Sequence, residues 1–168
     1  EIKVESDKLW GATTQRSFEN FKIGDYKMPT EVIRAMATVK YACAMANYEL
    51  GDINKEKFTA IENAVQEIFS GNLDEHFPLV VYQTGSGTQT NMNLNEVIAN
   101  YANQKVGKTL IHPNDDVNKS QSSNDTFPTA LHIACLDVID RKLIPSMKTL
   151  ILAFKAFEEA NSDVVKIG

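Results

Sequence analysis

Apolar residues recur at spacings of three and four from Thr30 to Leu50, through Val32, Ile33, Met36, Val39, Cys43 and Ala46. That period predicts an amphipathic helix, opened by Pro29 and stopped at Gly51. A second helix is predicted from Lys55 to Ser70, with Asn54 as its N-cap, Phe58, Ile61, Val65, Ile68 and Phe69 on its apolar face, and Gly71 as its end. The two should pack as a helical hairpin. From Asn72 to Val81 the pattern dissolves into a connector, and Val80-Val81-Tyr82 supports only a brief extended piece. Helical spacing returns from Asn91 to Val106 through Met92, Val97, Ile98, Tyr101 and Ala102, and Gly107 closes that helix.

The stretch from Lys108 to Asn124 is polar and aperiodic. Beyond it, Leu131, Ala134, Leu136, Val138 and Ile139 predict a helix over Asp125 to Arg141, and Met147, Leu150, Ile151, Phe154 and Phe157 predict another over Ile144 to Ala160. Pro145 either kinks one long helix there or separates two. With so few strand candidates and no internal repeat, the fold class is mainly α.

Composition narrows the function classes. A chain of 168 residues with 43% hydrophobic content can enclose one core and bury roughly 70% of its unfolded surface; one domain with the start of a second is expected. The formal net charge is -5, and no Lys/Arg run is dense enough to neutralise several phosphates, so nucleic acid is not an expected partner. No stretch reaches the roughly 20 apolar residues needed to span a bilayer. Residues 1–7 resemble neither a secretory signal nor a transit peptide, and the reading is a soluble protein without a membrane partner. Cys43 and Cys135, both inside apolar helical patterns, are expected to be buried free thiols in a reducing compartment.

Three polar segments exceed what a core requires. In Gln83-Thr84-Gly85-Ser86-Gly87-Thr88-Gln89-Thr90-Asn91-Met92-Asn93, hydroxyls alternate with glycines directly before a helix. Glycine permits close backbone approach to a ligand, and helix-start N–H groups favour an anion. A polar loop with a good N-cap explains the pattern as well; no Gly-Lys-Ser/Thr ending follows, so a phosphate-binding Walker loop does not fit. In Ile111-His112-Pro113-Asn114-Asp115-Asp116-Val117-Asn118, one imidazole stands beside amides and carboxylates, and a structural turn is an equal reading. One His and two adjacent Asp lack the spacing of a metal site.

The third segment, Lys119-Ser120-Gln121-Ser122-Ser123-Asn124-Asp125-Thr126-Phe127-Pro128, places more hydroxyl and amide donors at a helix start than capping needs, with Pro128 expected in the first turn. Neither Ser122 nor Ser123 sits in a Gly-x-Ser-x-Gly elbow. Together the segments offer neutral donors instead of an arginine cluster, which suits a small carboxylic acid and the extra charge it gains when a proton leaves the adjacent carbon.

Gly85-Ser86-Gly87-Thr88-Gln89, Asn91-Met92-Asn93 with Asn95-Glu96-Val97, His112-Pro113-Asn114-Asp115 and Lys119-Ser120-Gln121-Ser122-Ser123-Asn124-Asp125 are, in this order, similar to motifs of class II fumarases within the aspartase/fumarase superfamily. Asp7 to Ser17 resembles that family's opening segment, and Ser86, Gln89, His112 and Ser123 side with fumarases over aspartases. The resemblance spans essentially the whole chain and identifies it as the N-terminal portion of such an enzyme. It implies a helical first domain over residues 1–121 and the start of a central helical bundle over residues 122–168.

It further implies reversible hydration of fumarate to L-malate without metal or organic cofactor, in a homotetramer of the cytoplasm or, in a eukaryote, the mitochondrial matrix. Ser86, Gly87, Thr88, Ser122, Ser123 and Asn124 would contact the substrate, with the first and last three coming from different corners of the tetrameric site. His112, Pro113, Asn114 and Asp115 would form a second dicarboxylate site. Tyr101 and Thr109 stand where the family carries basic residues, and the stretch between Tyr101 and His112 is short. The catalytic His and the mobile Ser loop of the family have no counterpart here, so no catalytic residue is assigned and the segment alone should be nearly inactive. The alternatives are an aspartate ammonia-lyase or another lyase of the superfamily or, for the isolated segment, a non-catalytic helical assembly module.

Overall fold

Six α-helices carry the architecture of the computed structural model, which describes residues 2–168: α1 (Ala12–Asn20), α2 (Thr30–Glu49), α3 (Lys55–Phe69), α4 (Thr88–Val106), α5 (Ser123–Val138) and α6 (Ile144–Ala160). No strand forms among the described residues. One isolated antiparallel bridge joins Lys27 to Val80, the place where a brief extended piece was predicted. The chain divides into two compact units between Ala134 and Cys135.

In the first unit α2 and α3 form the predicted hairpin, and α4 packs against both. Met36, Ile61, Val65, Ile68, Leu94, Val97 and Ile98 are fully enclosed there. Asn54 caps α3 as read, its side chain accepting the Lys57 N–H at 2.9 Å. The buried stripe of α2 is shifted from the one predicted: Ile33, Met36, Ala37, Lys40, Ala44 and Asn47 point inward, whereas Val39 and Cys43 are half-buried and Ala46 is exposed. Apolar periodicity misses this phase because two of the inward residues are polar and bond across the core.

Periodicity also passes over α1, which has few apolar residues. Tertiary structure sets its start: the N–H groups of Gly11, Thr13 and Thr14 donate to the buried Glu96 carboxylate of α4 at 2.9, 2.9 and 3.1 Å. Those N–H groups have no partner inside the helix, and a carboxylate satisfies them and the positive helix end together. Other side chains of α4 staple loops by mimicking backbone. Asn103 accepts from the Leu110 and Ile111 N–H groups and donates to the Ile111 carbonyl, each at 2.8 Å, and Asn93 donates to the His76 carbonyl at 3.0 Å.

Two expectations are corrected. Helix α5 begins at Ser123, two residues earlier than predicted, so Pro128 sits in its second turn, where it denies the Asn124 carbonyl a helical donor. Cys43 and Cys135 are free as expected, but Cys43 is only half-buried and Cys135 is exposed. Of the two readings at Pro145, one distorted long helix fits better than two separate ones, since the backbone stays helical from α5 into α6. Residues Ile139–Leu143 widen to an i to i+5 turn, with the Ile144 N–H on the Ile139 carbonyl, and helical dihedrals persist through Val138, Leu143 and Ile144. The widened turn absorbs the missing proline N–H.

The second unit consists of the end of α5, this wide turn and α6. No residue of α6 is buried, and Met147, Leu150, Ile151, Phe154 and Phe157 are all at least half exposed along it. No helix among the described residues is long and apolar enough to cross a membrane.

Candidate functional site

Two helix starts carry the first and third polar segments. Helix α4 opens on Gly87, whose φ of +71° is left-handed. A Cβ at that position would fall 2.1 Å from Phe127 Cγ on α5, so glycine is required both by the turn and by the close approach of α5. The first turn of α4 is capped by Gln83, whose side-chain oxygen accepts from the Thr90 N–H and hydroxyl, both at 3.0 Å. Gly87 itself, at the N-cap, has no side chain to do this. The Thr84 hydroxyl donates to the Gln89 side chain and closes the loop.

The hydroxyls of Ser86 and Thr88 lie 3.0 Å apart, and Thr88 is 3.0 Å from the Ser123 hydroxyl in the first turn of α5. Thus the first and third polar segments of a single chain form one run of hydroxyls. This corrects the expectation that Ser86 to Thr88 and Ser122 to Asn124 come from different corners of an assembly. Ser86, Ser122 and Asn124 are exposed, Thr88 and Ser123 half-exposed. The Ser122 carbonyl accepts the Thr126 N–H at 2.9 Å, which places Ser122 at the start of α5. Such a row of O–H donors beside two helix N-termini can hold carboxylate oxygens. A cleft of about 550 Å³ exists elsewhere, between α1 and the 78–83 connector, and takes in only Gln83 of these residues.

The second segment is a separate turn. His112 to Asn118 closes through i to i+5 bonds, Val117 N–H to the His112 carbonyl at 3.3 Å and Asn118 N–H to the Pro113 carbonyl at 3.1 Å. His112, Asn114 and Asp115 are exposed and Pro113 half-exposed. His112 Nδ1 accepts the Asp115 N–H at 3.2 Å and lies 3.1 Å from the Asp115 carboxylate. Asp116, which the sequence left without a role, is buried and anchors the turn: one carboxylate oxygen takes the His112 N–H at 2.8 Å, the other Lys57 Nζ at 2.6 Å.

Sequence reasoning missed the residue beneath the hydroxyl row. Lys40 of α2 is fully buried, and its ammonium donates to Asn91 Oδ1 at 2.6 Å, Gln121 Oε1 at 2.8 Å and Asn118 Oδ1 at 2.9 Å. Burial pushes its pKa down to about 7, because no carboxylate accompanies it into the low-dielectric interior. Three amide oxygens oppose that push, since only the ammonium offers all three protons. The available signal was a charged residue on the inward stripe of α2.

A family model described as lyase matches residues 1–168. The class II fumarate hydratases of Thermus thermophilus and of Helicobacter pylori strain J99 are 52% and 54% identical, over 174 and 173 aligned residues. Each alignment takes in 100% of this chain and 37% of the relative, so the chain spans little more than a third of their length. Among solved structures, the class II fumarase of Schistosoma mansoni superposes with a TM-score of 0.94 at 39% identity, over 99% of this chain and 36% of that one. A fumarate lyase:delta crystallin from Brucella melitensis gives 0.90 at 41%, over 94% and 35%. Sequence over the full chain and backbone agree: the chain belongs to the lyase family.

Proposed function

We propose that the full-length protein reversibly hydrates fumarate to L-malate, the hydration step of the tricarboxylic acid cycle, and that this segment supplies the groups that hold the dicarboxylate. The observation that carries the reading is the Ser86–Thr88–Ser123 hydroxyl row at 3.0 Å spacings. To release water from malate, a base takes a proton from the carbon beside one carboxylate. The electron pair moves into that carboxylate, which becomes doubly charged, and then returns to form the double bond as the C–O bond breaks and the hydroxyl, taking a proton from a general acid, leaves as water. Neutral donors aimed at those oxygens bind the doubly charged form more tightly than the ground state, which is the differential binding catalysis needs.

Ser86, Gly87, Thr88, Ser122, Ser123 and Asn124 take this role, and His112, Pro113, Asn114 and Asp115 hold a second dicarboxylate. The exposed apolar line of α6 supports self-association into a homotetramer, in the cytoplasm or a mitochondrial matrix. The test is malate dehydration by the full-length protein, followed by the ultraviolet absorbance of the fumarate double bond. Thr88→Val should lower kcat about 10²- to 10³-fold, as loss of one such donor does. No absorbance change with the native protein, or native rates with Thr88→Val, would overturn the proposal.

A further inference from the structure

Asn91 lies one helical turn after Thr88 on α4, and Thr126 one turn after Ser123 on α5. The two lower residues approach each other, Thr126 Oγ1 lying 3.4 Å from Asn91 Oδ1, just as the two upper hydroxyls do at 3.0 Å. Lys40 sits against the lower pair. Its ammonium binds Asn91 on α4 and, through Asn118 and Gln121, the segment that leads into α5. An ammonium donates only, so it fixes the polarity of all three amides. Asn91 Nδ2 therefore faces Asn118 Oδ1 at 3.0 Å, and Gln121 Nε2 faces the Val117 carbonyl at 2.9 Å.

A second observation lies in the backbone. Ser120 is the single non-glycine with positive φ among the described residues, at +61°. It sits between Asn118 and Gln121, two of the three amides that Lys40 grips, and Gln121 N–H to the Asn118 carbonyl at 3.1 Å closes the same turn. Such a conformation persists only where its surroundings over-determine it, and it clusters at sites where geometry matters.

We propose that Lys40 is a positioning residue for the carboxylate-binding hydroxyls: by tying α4 to the 118–121 turn it holds Thr88 and Ser123 at hydrogen-bond separation. This rests on the proposed dicarboxylate role of those hydroxyls, and the experiment keeps the two apart. In a crystal structure of the full-length Lys40→Met protein, the Thr88 and Ser123 hydroxyls should move beyond hydrogen-bond distance. In the same protein kcat/KM for malate should fall about 10- to 100-fold, with KM raised, as misplacement of about an ångström does.

Ile61→Ala, a buried α3 truncation away from the amides, is the control for lost stability. It should reduce the active fraction and leave KM unchanged. If Lys40→Met does not fold, Gln121→Ala removes one acceptor from the half-exposed rim and should shift KM the same way by about 3- to 10-fold. An unchanged Thr88–Ser123 separation, or a KM that stays native in both variants, overturns the positioning role. Failure of the native protein to turn over malate overturns the functional reading instead, and the crystallographic separation still decides the role of Lys40.

Discussion

Replacing Gly87 by alanine tests how α4 and α5 meet. An L residue at φ +71° costs about 1–2 kcal/mol through the clash of Cβ with the following carbonyl. The added methyl would also lie 2.1, 2.4 and 2.6 Å from Cγ, Cδ1 and Cδ2 of Phe127. Cγ is one bond from the Phe127 Cβ, so only a new χ1 or a shift of α5 relieves the overlap, at about 1–3 kcal/mol more. Gly107, at φ +74° and with nothing within 4 Å of where a methyl would be added, carries the first cost alone. Both variants lose the same conformational freedom in the unfolded chain, so that contribution cancels between them.

Urea unfolding of the full-length variants, followed by far-ultraviolet circular dichroism, should therefore show Gly87→Ala losing about 2–5 kcal/mol and Gly107→Ala about 1–2. The same shift of α5 should separate Thr88 from Ser123 and raise KM for malate in Gly87→Ala only. Equal destabilisation of the two variants would refute the claim that steric contact with Phe127 sets this junction.

Glu96→Ala strips the acceptor from three N–H groups at the start of α1 and should cost about 2–4 kcal/mol; amide exchange at Thr13 and Thr14 should accelerate, and unchanged protection would show that α1 starts without it. Asp116→Ala leaves the half-buried Lys57 and the His112 N–H without this partner, a loss of about 1–3 kcal/mol, visible as faster exchange of the Val117 and Asn118 amides. Lys40 predicts a pH dependence of defined sign. Below about pH 7 folded and unfolded chains both carry the proton and the burial cost is fully present. Between that value and the ordinary 10.5 the unfolded chain binds more protons, so stability rises with pH. The native protein should gain on Lys40→Met in urea midpoint from about pH 7 to 9; parallel curves would mean that the three amide oxygens fully offset desolvation.

Most of the scaffold was legible in the order of residues along the chain. The 3.6-residue period of α2, α3 and α4 survives in the structure because burying one apolar stripe is the dominant local demand, and Asn54 and Gly107 act at the helix ends where their chemistry places them. The donor-rich segments were equally legible as composition: no core requires Ser86, Thr88, Ser122, Ser123 and Asn124 at two helix starts.

Tertiary structure alone decided the rest, because the decisive partners lie far apart along the chain. Helix α1 forms on a carboxylate more than eighty residues away, so no local pattern announces it. The true inward phase of α2 depends on Lys40 and Asn47 meeting the 118–121 turn, and a polar residue on a buried stripe counts against burial until its partners are known. That Thr88 and Ser123 share one row of hydroxyls follows from packing α5 against a glycine. Periodicity reports which face is buried, whereas the site depends on which two faces meet.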